Sequence, residues 1–215
     1  MKPLRQKFSG WATHLRTIAL GFGIGLGMAT STYAQDNTIP GVVKPYCPNQ
    51  SQLGLNACAY QWSFITEFFR VMITSDLSQQ LSPELRDKLM DIDKNWSDFR
   101  RNHCEELSEP IQGGSAYPMV FNNCLATMTN DRIADLQSWG EPEQDAARAS
   151  YRLRALIAAL ELPSINAQQQ WEQYQNQHCE FEGLRFPDRP DQGELCRQRL
   201  LASRIRQVEE IGRVR

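Results

Sequence analysis

Six cysteines constrain this chain more than any other feature: Cys47, Cys58, Cys104, Cys124, Cys179 and Cys196. What they imply depends on the compartment, and residues 1–34 address that. Lys2, Arg5, Lys7 and Arg16 give this stretch positive charge, and it contains no acid. Residues 18–29 are apolar and uncharged, and Ser31, Thr32, Tyr33 and Ala34 precede the polar Gln35, Asp36 and Asn37. This order of basic, apolar and small-residue regions predicts a signal peptide over 1–34, cut after Ala34, with Ala29 as the other cleavage point. A membrane anchor is the rival reading. Its uncharged run is long enough by count, but glycine-rich in the middle and polar in its last third. The expected location is therefore the periplasm or the exterior, with no membrane attachment after cleavage.

An even number of cysteines in an exported chain reads as three disulfides. Metal binding is the alternative chemistry for such residues. There is no C-x-x-C pair, and His14, His103 and His178 are not clustered, although His103 and His178 each stand directly before a cysteine. No cofactor is expected. Of the 23 Lys and Arg, four lie in 1–34, which leaves 19 against 25 acids and a formal charge of −6. A net acidic chain is not built for nucleic acid; it suits a basic protein partner.

Beyond an irregular arm over 35–56, rich in Pro, Asn, Gln and Gly, apolar residues recur at helical spacing. Helices are predicted at about 57–79, 83–108, 117–138, 143 to before Pro163, 164–182 and 192–211. Ser82 and Pro83 form a helix start, and Ser164 is placed to cap another. Leu85, Leu89, Ile92, Trp96 and Phe99 make one apolar face. A spine of Ala167, Trp171 and Tyr174, with a half-buried His178, makes a second. The expected fold is all-α: a small disulfide-stabilised bundle of two related helix-loop-helix units.

That relation is an internal repeat. Trp96-x2-Phe99-x4-Cys104 returns as Trp171-x2-Tyr174-x4-Cys179, with His before each Cys. The next cysteines follow, Cys124 and Cys196, each leading to C-x7-R-I at Arg132-Ile133 and Arg204-Ile205. In both copies one helix ends in Cys and a second carries the partner Cys. The expected bridges are therefore Cys104–Cys124 and Cys179–Cys196, which leaves Cys47–Cys58 to pin the arm. Trp96, Phe99, Trp171 and Tyr174 read as core anchors. Arg132 and Arg204 read as helix residues beside the core, each paired with an acid or a helix carboxyl end, in preference to ligand-binding groups.

The first copy resembles the lysozyme inhibitor LprI-like N-terminal domain family. The features that carry the resemblance are Cys47 and Cys58; Trp96, Phe99, Arg100 and Cys104; Gly113, Gly114 and Ser115; Cys124 and Leu125; and Thr129, Arg132 and Leu136. They place this domain at about 47–140. Residues 141–215 keep Trp171, Tyr174, Cys179, Cys196 and Arg204. They carry Gln175, Leu201 and Val208 where the first copy has Arg100, Thr129 and Leu136, and so read as a degenerate second copy packed on the first. The resemblance implies an exported, helical, disulfide-bonded protein in a family named for lysozyme inhibition by one member.

No nucleophile-base set or metal-ligand set stands out, and Asp91 with Asp93 or Glu105 with Glu106 are ordinary helix acids. The chain is read as a binding protein and not an enzyme, with a basic lysozyme as the foremost partner. The alternative is a structural or adaptor module of the envelope with another protein or cell-wall partner. The element expected to meet a partner is the loop over 109–118, with Gly113, Gly114, Ser115 and Tyr117. The competing reading is that the glycines end a helix and Tyr117 packs inward.

Overall fold

The computed structural model describes residues 41–138, 140, 142–160 and 165–214. The predicted signal peptide, its cleavage points and the capping role of Ser164 lie outside them. Among the described residues six α-helices follow one another: α1 Gln52–Gln79, α2 Pro83–Ser108, α3 Tyr117–Leu136, α4 Ala146–Ala159, α5 Ile165–Arg185 and α6 Gln192–Val214. A short 3-10 turn, Glu109–Ile111, leaves the end of α2. The described residues contain no strand, so the all-α expectation holds.

The helix ends follow local chemistry. Ser82 accepts a hydrogen bond from the Leu85 amide and Pro83 occupies the first turn of α2. Asp145 accepts from the Arg148 amide and starts α4 a few residues later than the apolar pattern indicates. α1 begins at Gln52, earlier than 57, because the Ser51 hydroxyl caps it by accepting from Gly54. Residues 41–50 have no regular structure. They are fastened at Val42, whose carbonyl accepts from Trp62 Nε1 at 3.0 Å and whose amide donates to Asn130 Oδ1 at 2.9 Å.

α1 lies along α3, α2 against α3 and α5, and α5 against α6, while α4 covers the outer side of α6. The core runs through Leu89, Ile92, Trp96, Phe99, Met128, Trp171, Tyr174, Phe181, Leu200, Val208 and Ile211. At its centre α2 and α5 are antiparallel: Asn95 Nδ2 donates to Gln177 Oε1 and Asn102 Nδ2 to Gln170 Oε1, both at 2.7 Å. Between them Phe99 stacks on Tyr174, ring centroids 6.3 Å apart. The offset that carries Trp96 to Trp171 carries Asn95 to Gln170 and Asn102 to Gln177. The two amide bonds thus exchange with each other under the spacing of the sequence pattern.

Three disulfides join Cys47 to Cys58, Cys104 to Cys124 and Cys179 to Cys196, with Cα separations of 5.4 to 5.9 Å. The second staples α2 to α3 and the third α5 to α6, each across the connection between its helices. Closing loops of this length removes freedom from the unfolded chain worth about 3 kcal/mol per bridge. Replacing Cys104 and Cys124 together by Ser is expected to lower unfolding stability by that order in urea titrations. Peptide mapping of the unreduced double variant should still recover the other two pairs.

Candidate functional site

The most chemically loaded part of the molecule is its interior. Arg132 and Arg204 are 0 % and 1 % exposed. Arg132, on α3, lies with its guanidinium carbon 5.8 Å from the Trp96 ring and 5.3 Å from the Tyr174 ring. Its Nη1 donates to the Tyr174 hydroxyl at 3.1 Å and to His178 Nδ1 at 3.3 Å. Asp93 supplies the nearest carboxylate, 3.6 Å away. Arg204, on α6, repeats the arrangement from the other side. Its guanidinium carbon is 5.1 Å from Phe99 and 5.9 Å from Trp171. Its Nη1 donates to His103 Nδ1 at 3.0 Å, and its Nε to Gln168 at 3.1 Å. Each arginine therefore sits against the tryptophan of its own half of the chain and reaches the histidine and ring of the other half.

Sequence reading placed these arginines beside the core, with stems over apolar surface and heads on acids. They are inside it, and their principal partners are imidazole nitrogens and ring faces. His178, expected half-buried, is 1 % exposed. Because a guanidinium only donates, Nδ1 of each histidine must accept, so both rings are neutral. Burial, and after it the charge of Arg204, holds His103 well below the ordinary histidine range. Burial and then Arg132 do the same to His178. Burial brings Arg204 down to about 10, with Glu106 and Glu172 acting in the opposite sense. Asp135, which accepts from the Tyr174 hydroxyl at 2.6 Å, is raised by burial to about 7 despite that bond and Arg132.

A second ionic cluster joins α1 to α2 and α3. Arg70 meets Asp93 and Glu67 at 2.6 Å each, and Arg100 meets Glu67 at 2.6 Å and Thr129 at 2.7 Å. Arg70 and Arg100 also face the Trp96 ring, at 5.1 and 4.7 Å. Three guanidiniums thus surround one indole, an arrangement held by ring electrostatics and carboxylates together. Arg100 and Thr129, which the family resemblance singled out, turn out to belong to one contact.

All six cysteines are bridged, and among the described residues no group of three or more His, Cys, Asp or Glu is placed to hold a metal. A cavity of about 430 Å³ opens between α3 and α6. Its Asp131 is paired with Gln207 at 2.8 Å and Arg206 at 3.8 Å. No described helix is long and apolar enough to cross a membrane.

The loop after α2 is more open. Gly113, Gly114 and Ser115 are exposed, and Gly113 adopts φ +81°, a conformation closed to most side chains. The Gly114 amide is already donated to the Ile111 carbonyl, so it is not free for a partner. The Ser115 carbonyl accepts from Asn56 Nδ2 at 3.0 Å, which ties the loop to α1. Tyr117 is the first residue of α3 and half-buried, stacked on Phe121 at 5.7 Å. The four residues therefore do not converge: three form an exposed tip and the tyrosine leans on its own helix.

Two measurements follow from the interior. Arg132→Lys and Arg204→Lys keep the charge but lose the planar fork, and each is expected to cost about 3 kcal/mol in denaturant unfolding. Acid should weaken the fold through the histidines. Unfolded histidine binds a proton near pH 6.5 and the folded rings resist it, so stability falls as pH drops below that value. Asp135 opposes this. Its folded carboxyl holds a proton that the unfolded one releases, so its contribution is present at low pH and lost as pH rises through about 7. His103→Gln with His178→Gln should therefore shrink the drop in Tm between pH 7.5 and 5, while Asp135→Asn should enlarge it.

Comparison with known proteins locates this arrangement. An uncharacterized protein of Rhizobium meliloti (strain 1021) is 27 % identical over 110 residues, 44 % of this chain and 78 % of that protein. No solved structure matches. The family model described as Lysozyme inhibitor LprI matches residues 66–136, from the second half of α1 to the end of α3. That interval holds Glu67, Arg70, Asp93, Trp96, Arg100, Cys104, Cys124, Thr129 and Arg132, so the similarity to the Lysozyme inhibitor LprI family spans the cluster around Trp96 and the bridge between α2 and α3.

Proposed function

We propose that this protein is an exported, non-catalytic binding protein that inhibits a lysozyme by occluding its substrate cleft. The observation that carries the reading is the family match over 66–136. Three disulfides suit an oxidising compartment outside the cytosol. The net negative charge beyond residue 34 favours encounter with a basic enzyme. Among the described residues four arginines and three acids are buried, so burial does not remove that negative excess from the surface.

The contact is assigned to the tip formed by Gly113, Gly114 and Ser115. It projects from a base held by Cys104–Cys124 and by Asn56, so little order remains to be gained on binding. Residues 141–215 are read as a second, degenerate copy of the same unit. The reciprocal contacts of α2 with α5, and of each arginine with the opposite histidine, support that reading. Its loop, with Phe186 between Arg185 and Arg189, differs in charge and shape, and inhibition is assigned to the first copy alone.

Titration of purified protein into c-, g- and i-type lysozymes should abolish cell-wall lysis by at least one of them at micromolar concentration. Gly114→Glu should weaken that inhibition at least tenfold with circular dichroism unchanged; Tyr117→Ala, acting through α3, should weaken it less. Absence of both binding and inhibition with all three enzymes would reject the function. Inhibition untouched by either variant would move the contact off this loop.

A further inference from the structure

α1 is turned inside out. The face it lays on the rest of the molecule carries Thr66, Arg70 and Thr74 between Trp62 and Leu77, all buried. The face it turns outward carries Leu53, Tyr60, Phe64, Phe68, Val71 and Met72, exposed by 79, 62, 63, 55, 49 and 54 %. Ala57, Gln61 and Ser75 complete that face. The only charged residues between Gln52 and Ser75 are Glu67 and Arg70, and both are paired in the cluster around Trp96. The outward stripe is therefore uncharged for most of the helix, about 30 Å at 1.5 Å per residue.

We propose that this stripe pairs with the same stripe of a second copy of the chain, forming a two-fold dimer across α1. Surface area is the first argument. Taking 150–250 Å² for a large side chain and the exposures above, the stripe offers roughly 700 Å² per copy. Two copies remove about 1,400 Å², within the range of specific interfaces, and the roughly 700 Å² on each exceeds the apolar patch of about 300–600 Å² that a monomer usually shows. Charge is the second. A basic partner is drawn to acids, and a membrane surface is met by apolar helices flanked with Lys and Arg; this face has neither. A two-fold pairing asks only that the patch complement itself. Shape is the third. Tyr60, Phe64, Phe68 and Met72 follow one another at steps of four, a continuous ridge of the kind that interlocks with its own copy at a crossing near −50°. Leu53, Tyr60 and Phe64 precede the family match and Phe68, Val71 and Met72 lie within it; the stripe shares no residue with the Gly113–Ser115 tip, so the pairing is tested independently of the lysozyme reading.

The test is the mass of protein purified from cells expressing the full reading frame, by sedimentation velocity from about 1 to 100 µM. Wild type is expected to sediment as a dimer. Phe64→Glu and Phe68→Glu, both at exposed positions, should raise the dissociation constant at least about 100-fold with helical circular dichroism retained. Ala147→Glu, on the exposed side of α4, should change nothing. A photo-crosslinker at Ala57 in otherwise wild-type protein should join two copies through α1 peptides, which keeps the test decisive if the glutamate variants misfold. A monomer at 100 µM, a dimer indifferent to both variants, or crosslinks only outside α1 would overturn the proposal. Stripe-dependent binding of a monomer to phosphatidylcholine vesicles, or to lysozyme, would overturn it too and give the face to that partner.

Discussion

The fold depends on two guanidinium groups held in its interior between rings and imidazoles from both halves of the chain. Taking an arginine out of water carries a cost of several kcal/mol that ion pairing alone seldom returns. Here the cost is met by aromatic faces, by a hydroxyl or an amide oxygen, and by a histidine locked as an acceptor. Removing any one partner leaves a donor or a charge stranded. The same contacts fix registry: Arg132 reaches His178 only if α3 and α5 are aligned to within a fraction of a turn, and Arg204 makes the same demand of α6 and α2. We infer that these groups serve uniqueness of structure more than depth of stability.

The disulfides act on a different level. Cys104–Cys124 and Cys179–Cys196 close each hairpin at the end where its connection leaves, while the arginines lock the hairpins to each other. One device limits what the unfolded chain can do; the other selects among compact arrangements. α1 and α4 are then outer layers, α1 on α3 and α4 on α6. They differ in how they are held. α4 buries Ala149 and Leu153 by ordinary apolar contact, whereas α1 is held chiefly by Glu67, Arg70 and Trp62.

Much of this was legible in the residues. Ser82 with Pro83 announces α2, the steps from Leu85 to Phe99 give its buried face, and the recurring Trp, aromatic and Cys pattern led to the three bridges that the structure contains. The partners of Arg132 and Arg204 were not legible, because each lies in the other half of the chain and no local rule joins them. A signal was present nonetheless: a histidine before each cysteine and an arginine at the same step beyond the next cysteine are two repeated polar residues at core spacing. The orientation of α1 was also hidden. Hydrophobic periodicity assumes that apolar side chains face inward, and on this helix the tertiary charges of Asp93 and Arg100 turn Arg70 and the threonines in instead. Gly113, Gly114 and Ser115 lie in the connection after α2, but Tyr117 is the first residue of α3, with its amide donated to the Gly114 carbonyl and its ring stacked on Phe121.

The polar seating of α1 also sets the order in which the native state opens. An interface that sets ion pairs and threonines among Ala59, Trp62 and Leu77 gains less from apolar collapse than the centre of the core, and it is the seam most readily rewetted. Leu89, Phe99, Tyr174 and Val208 meet in the apolar core. Opening of this kind is sub-global: amide protons of α1 should exchange through release of that helix, while those at the centre of α2 and α5 wait for complete unfolding. The Cys47–Cys58 bridge does not prevent this, because it joins the helix to its own preceding arm. Release of α1 would bare the Trp96 indole beneath it, so that indole fluorescence and amide exchange report the same event.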